Sequence, residues 1–306
     1  MTRAGWLGGA LRWQSRVAVA LAVLLCGAAL GGVPLGAGVQ YAVLLGGMVL
    51  VGIPHGSFDH LVARPLLAPR LGAWWWAPFG AGYLALAGLV GVAWVVAPAW
   101  TLAGFLAGSV VHFGLGDAEA PGVGGPRWVS VLALGGMPVL LPAVLHPVAA
   151  APVLAAMAHV PTAAMMGALD TGWWLVLPWG ALFGWMLVDA ERHRGPWAEA
   201  VAMLAAFVLL PPLLAFGLYF TAGHSMRHTL RLGAWHDGVR GRAALRWLAR
   251  GMVPAAGVAV VALIGLGVAA RDWPVDVLAP VFQAIAALTL PHMVVTGFLE
   301  RDSSGG

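Results

Sequence analysis

The stretch AEAVAMLAAFVLLPPLLAFGLYFTAGHSMRH, residues 198 to 228, reads either as one long apolar helix kinked at Pro211-Pro212 or as two elements separated there. Proline removes a backbone donor and crowds the preceding turn, so both readings are physically available. The choice decides the fold, because it sets which face of a membrane everything after it occupies. Arg3, Arg12 and Arg16 place the N-terminus on the cytoplasmic side. With two elements, Arg64, Arg70, Arg127, Arg192, Arg194 and the cluster Arg231, Arg240, Arg242, Arg246 and Arg250 fall on that side too, and only Arg271 falls outside. A merged helix sends the cluster to the outer face, against the positive-inside bias. Two passes are therefore expected.

The rest of the chain supports a membrane reading. Its 306 residues are 61% hydrophobic and 9% charged, with a mean hydropathy of +0.88, outside the range of soluble domains. Apolar runs occur at 17–33, 37–53, 77–97, 99–115, 128–145, 172–188, 197–210, 212–230, 252–270 and 277–298. Since a span needs about 20 apolar residues, the expected architecture is all-α: one polytopic transmembrane helix bundle of about eight to ten spans over residues 1–306, with the lipid bilayer as its surroundings. The basic, then apolar N-terminus resembles a signal peptide but lacks a small-residue cleavage site, so it reads as the first span. Tryptophans at 74–76, 173–174 and 197 fall at predicted span ends, where indole partitions to the interface.

Composition also excludes chemistry. All 16 basic residues are arginine. Without lysine no Schiff base with retinal or another carbonyl can form. The net charge of +4 lies in predicted loops and reads as membrane topology, not nucleic-acid binding. The single cysteine, Cys26, lies in the first apolar run, so neither a disulfide nor a thiolate metal site is available.

Ten histidines in so apolar a chain need an explanation. His146, His159, His193 and His236 fall in predicted loops and read as solvated. His55 and His60 in VGIPHGSFDH, His112 in SVVHFGLGD, His224 and His228 in GHSMRH, and His292 in LPHMVV come from separate spans yet share the cytoplasmic side. Ionisable groups at such positions are costly and mark function. His224 and His228, four apart, share a helix face about 6 Å apart along the axis, a spacing that suits two ligands of one metal. His55 and His60 point about 140° apart on a helix and do not read as one site. Pro54 and Gly56 break the helix around His55 and leave room for a ligand. Asp59 and Asp117 follow His55 and His112 and are candidates to accept the second imidazole N–H. Imidazoles suit Zn, Cu, Fe or Ni, and the residues alone leave that choice open. A transporter or proton relay is the non-enzymatic alternative, but it calls for acids deep within spans, and only Glu199 qualifies.

Together, IPHGSFDH, VHFGLGD, HSMRH and PHMVV, in this order over nearly the whole chain, resemble the Brp/Blh family of bacterial membrane β-carotene 15,15′-dioxygenases. The resemblance implies an inner-membrane, non-haem iron(II) enzyme that cleaves the central double bond of β-carotene with O2 to give two retinal molecules. It implies that His55, His112, His224 and His228 bind the iron, and His292 matches a further feature of the family; His292 and His60 are the weaker candidates, and Asp59 and Asp117 stand behind the ligands by their positions in the chain. A membrane di-iron hydroxylase or desaturase is the runner-up; it needs about eight histidines in H-x-x-H-H clusters, and this chain has no adjacent pair. β-Carotene has no polar handle, so it requires a long apolar tunnel; Phe58, Phe113, Met226 and Met293 are candidates to line it.

Overall fold

A computed structural model describes residues 3–118, 126–192, 197–235, 241–269 and 275–303. His193, Arg194, His236, Arg240 and Arg271 lie outside the described residues. Among those described, every regular element is helical. The order is α1 (Arg3–Leu30); α2 (Ala37–Gly47), which continues through a π-helical turn (Met48–Gly52) and a 3-10 turn (Pro54–Phe58) into α3 (Asp59–Leu71); α4 (Trp76–Val96); α5 (Pro98–Ala118); α6 (Arg127–Leu145); α7 (Pro147–Ala158); α8 (Thr162–Gly172); α9 (Val176–Arg192); α10 (Ala198–Leu209); α11 (Pro212–Leu218), a π-helical turn (Tyr219–Ser225) and α12 (Met226–Trp235); α13 (Arg242–Ala269); and α14 (Val275–Ser303).

Eight helical passages among the described residues are long and apolar enough to cross a membrane, and the chain is an integral membrane protein. The two predicted runs missing from those eight are the halves of the stretch quoted above. Leu210 adopts extended backbone (φ −99°, ψ 155°), and the chain folds back there. Phe207 of α10 meets Tyr219 at 5.8 Å between ring centroids, and Glu199 pairs with Arg227 at 2.5 Å. On one continuous helix those last two residues would be about 40 Å apart, so the kinked-helix reading is excluded. At 12 residues α10 is about 18 Å long, shorter than a full span.

Three features were not anticipated. α1 begins at Arg3, not near residue 17, because Trp6, Leu11 and Gln14 are buried against the bundle. α8 begins at Thr162, ten residues ahead of the predicted run. α7 occupies a segment read as loop: it starts with proline at its first position, where a missing N–H costs nothing, and is alanine-rich.

Close packing is built from small residues, as membrane helices require. A side chain on Gly114 of α5 would collide with the Val131 backbone of α6, and one on Gly135 of α6 with the Val110 carbonyl of α5. The two π-helical turns meet similarly, since side chains at Gly47 and Gly52 would strike Thr221 and Phe220. The core beside them is filled by Leu44, Met48, Phe207, Leu210 and Leu214, all almost fully buried.

Candidate metal centre and its cavity

Each clustered histidine lies where helix geometry is interrupted or tightly backed. His55 is in the 3-10 turn after the first π-helical turn, and His224 lies inside the second. A π turn inserts a residue and redirects the side chains that follow, and such turns recur at functional sites. His112 comes from α5. Four residues on, Gly116 leaves room for the His224 ring, whose Cε1 is 3.1 Å from where a Cβ would stand. His228 is in α12, and His292 follows Pro291 in α14.

These five rings converge. His55 stands edge-on to His224, His228 and His292 with centroids at 6.3, 5.6 and 5.0 Å. His112 meets His224 at 5.1 Å and His292 at 5.3 Å, and His228 meets His292 at 5.3 Å. With metal–nitrogen bonds of about 2.1 Å, imidazoles around one ion have centroids roughly 4.6 to 6.4 Å apart. The observed spacings fall in that range. Among the described residues no group of three or more histidine, cysteine or acidic side chains has its donor atoms placed to hold a metal ion as they stand, so the rings are gathered without forming a coordination shell.

The hydrogen bonds decide which ring nitrogens face that space. His55 Nδ1 pairs with the Gly52 carbonyl, which can only accept, so Nδ1 carries the proton. His292 Nδ1–H donates to both oxygens of Asp59, at 2.8 and 3.0 Å. His224 Nδ1–H donates to Asp117 at 3.4 Å. In each case Nε2 is left with its lone pair. The Nε2 atoms of His55, His224, His228 and His292 are buried with no hydrogen-bond partner. Four unpartnered imidazole nitrogens in an apolar interior, three of them with the lone pair fixed on Nε2, are costly for folding, and a bound divalent cation would remove that cost. The donor set therefore fits a metal.

Behind the rings the acids differ from the sequence expectation. Asp59 supports His292, 233 positions away, and not its neighbour His55; Tyr83 Oη also donates to it at 3.0 Å. Asp117 supports His224 and not His112. It also accepts from Tyr219 Oη at 2.7 Å and from Arg227, whose other nitrogen donates to Glu199. Gln14 of α1 completes this group, donating to Glu199 at 3.3 Å and to the Ala222 carbonyl at 2.7 Å. Tyr83, Tyr219, Arg227 and Gln14 carry no local signal of these roles. His292 belongs with the cluster as fully as the other four. His60 does not: it is exposed, with Nδ1 on the Ser57 carbonyl at 2.8 Å. His146 and His159, read as solvated, flank α7: His159 is exposed, in left-handed backbone (φ 54°) after the helix ends, while His146 is the half-buried N-cap.

An apolar cavity of about 580 Å3 reaches the rings of His55, His112 and His292. Its walls come from the turns between α2 and α3 and from α4, α5, α6, α7, α11 and α14. Leu84 of α4 lines it and is 72% exposed. Of the four tunnel candidates only Phe113 lines it. Phe58 instead stacks on Trp247 at 5.2 Å.

A bundle of apolar helices with five imidazoles gathered beside an apolar cavity defines a class of integral membrane protein with a site suited to an apolar molecule. Residues 46–300 match the β-carotene 15,15′-dioxygenase family, and the chain belongs to that family. It is similar to the probable β-carotene 15,15′-dioxygenase Blh of Halobacterium salinarum, 31% identical over 323 residues that cover 95% of this chain and 92% of the relative. No solved structure matches it.

Proposed function

We propose that this chain cleaves the central 15,15′ double bond of β-carotene with O2 to give two molecules of retinal, at an iron(II) held by His55, His112, His224 and His228 with His292 beside them. The carrying observation is the set of buried, unpartnered Nε2 atoms of His55, His224, His228 and His292, two of whose rings, those of His55 and His292, line an apolar cavity. Membership of the family, and the activity in the name of the Halobacterium relative, support the choice of reaction. When bound, iron supplies the activation of O2 that a spin-allowed attack on an alkene requires. Neutral imidazoles leave the ion its full charge and suit iron.

The chain's own residues do the rest. Asp59 and Asp117 hold His292 and His224 with Nδ1 protonated, which directs Nε2 to the metal. The apolar walls exclude water and admit a substrate that offers only shape for recognition. Leu84, an exposed apolar side chain that also lines the cavity, offers a side for entry of a substrate dissolved in lipid. The N-terminus is cytoplasmic and the membrane is the bacterial inner membrane, as the arginine distribution and the family support.

Expression in β-carotene-producing cells tests the reading. Bleaching with accumulation of retinal, and about one iron per purified chain, is expected. Coloured cells containing intact carotenoid, or an iron-free protein that still produces retinal, would refute it.

A further inference from the structure

One whole face of α7, made by Ala149, Ala150, Val153, Leu154 and Met157, lines the cavity, at the spacing of a single helical stripe. The helix is held from outside. His146 Nε2–H donates to the Phe207 carbonyl at 3.1 Å and Gln283 to the Met157 carbonyl at 3.3 Å. Met157 and Ala158 pack with Leu102, Ala279 and Ala286. α7 thus meets α5 and α14 where their cavity-lining runs begin, at Leu102 and Phe282. From there to His112 and His292 is about ten residues in each helix, or about 15 Å.

That length has a chemical counterpart. An extended carbon chain advances about 1.2 Å per bond, so the roughly nine bonds from the central double bond of β-carotene to its terminal ring, with the ring itself, span about 15 Å. We infer that α7 is a gauge for the polyene: it stops one end of the substrate so that the central double bond lies at the histidine rings, with Ala150 and Val153 setting the depth. Nothing in a hydrocarbon distinguishes its double bonds by hydrogen bonding, so a steric stop is the means available for choosing one. This inference rests on the proposed reaction.

The test uses the iron-loaded full chain with β-carotene and with a β-apocarotenal that lacks one terminal ring. Val153→Phe shortens the arm, so the substrate enters less far and the bond at the rings lies nearer the inserted end. An unequal pair of aldehydes is expected, with retinal reduced about tenfold relative to the parent. Ala150→Phe should act in the same sense. Val153→Ala only removes atoms and is the variant to read if the larger side chains prevent folding; it should admit substrates with a longer or bulkier inserted end. Retinal as sole product from every folded variant, with unchanged KM and substrate range, would overturn the inference. Should the parent cleave no carotenoid, the proposed reaction fails and the gauge is judged by binding. Val153→Phe must then weaken retention of β-carotene about tenfold while sparing the apocarotenal; equal weakening of both would overturn it.

Discussion

Two units of the same composition support the ring cluster from different sides. In one, Tyr83 and His292 both donate to Asp59; in the other, Tyr219 and His224 both donate to Asp117. Their surroundings differ. Asp59, Tyr83 and His292 line the cavity, and among the described residues Asp59 has those two partners and no arginine. Asp117 lies off the cavity, bound to Arg227, which continues to Glu199 and Gln14 and so ties α1, α5, α10 and α12 together. The same three side chains thus perform two tasks. Where the carboxylate also neutralises a buried arginine, it is part of what holds the bundle together. Where it serves only an imidazole and a phenol, it acts on the site.

Loss of a ring should have the largest effect on either unit. His224→Ala and His55→Ala are expected to abolish iron binding and retinal formation, measured as metal per chain, while His146→Ala, outside the cluster, keeps bound iron. Retention of stoichiometric iron by either cluster variant would disprove the assignment.

Next comes the contrast between the acids. Asp117→Ala leaves Arg227 buried and half-paired, a loss of about 3–5 kcal/mol, so the protein should fail to accumulate in folded form or melt far below the parent in detergent. Asp59→Asn should leave the melting temperature near that of the parent yet weaken iron binding about 10- to 100-fold. If the two variants show equal loss of stability, the division of labour does not exist.

The smallest effects belong to the phenols. Tyr219→Phe and Tyr83→Phe each remove one hydrogen bond to a carboxylate, a net contribution of about 1.5–3 kcal/mol. For Tyr219 this should appear as a lower melting temperature. For Tyr83 it should appear as weaker iron binding or a changed KM for carotenoid, since its side chain lines the cavity. A reversed pattern would exchange the roles assigned to the two units.

Sequence alone determined the membrane class, the helical architecture, the separation of α10 from α11 and four of the histidines that converge. Those follow from properties that act locally or add along the chain: apolar run length, arginine placement, proline, and the cost of an ionisable group in a membrane. The tertiary structure alone decided which acid serves which ring. Asp59 reaches across 233 positions to His292, and side-chain periodicity carries no information on contacts at that separation. It also decided that α7 is a cavity wall, because 12 residues are too few to register as a span, and that His292 joins the cluster while His60 stays outside. The π-helical turns beside His55 and around His224 were not legible either, since the close approach of Gly52 to Phe220 and of Gly47 to Thr221 joins residues about 170 positions apart.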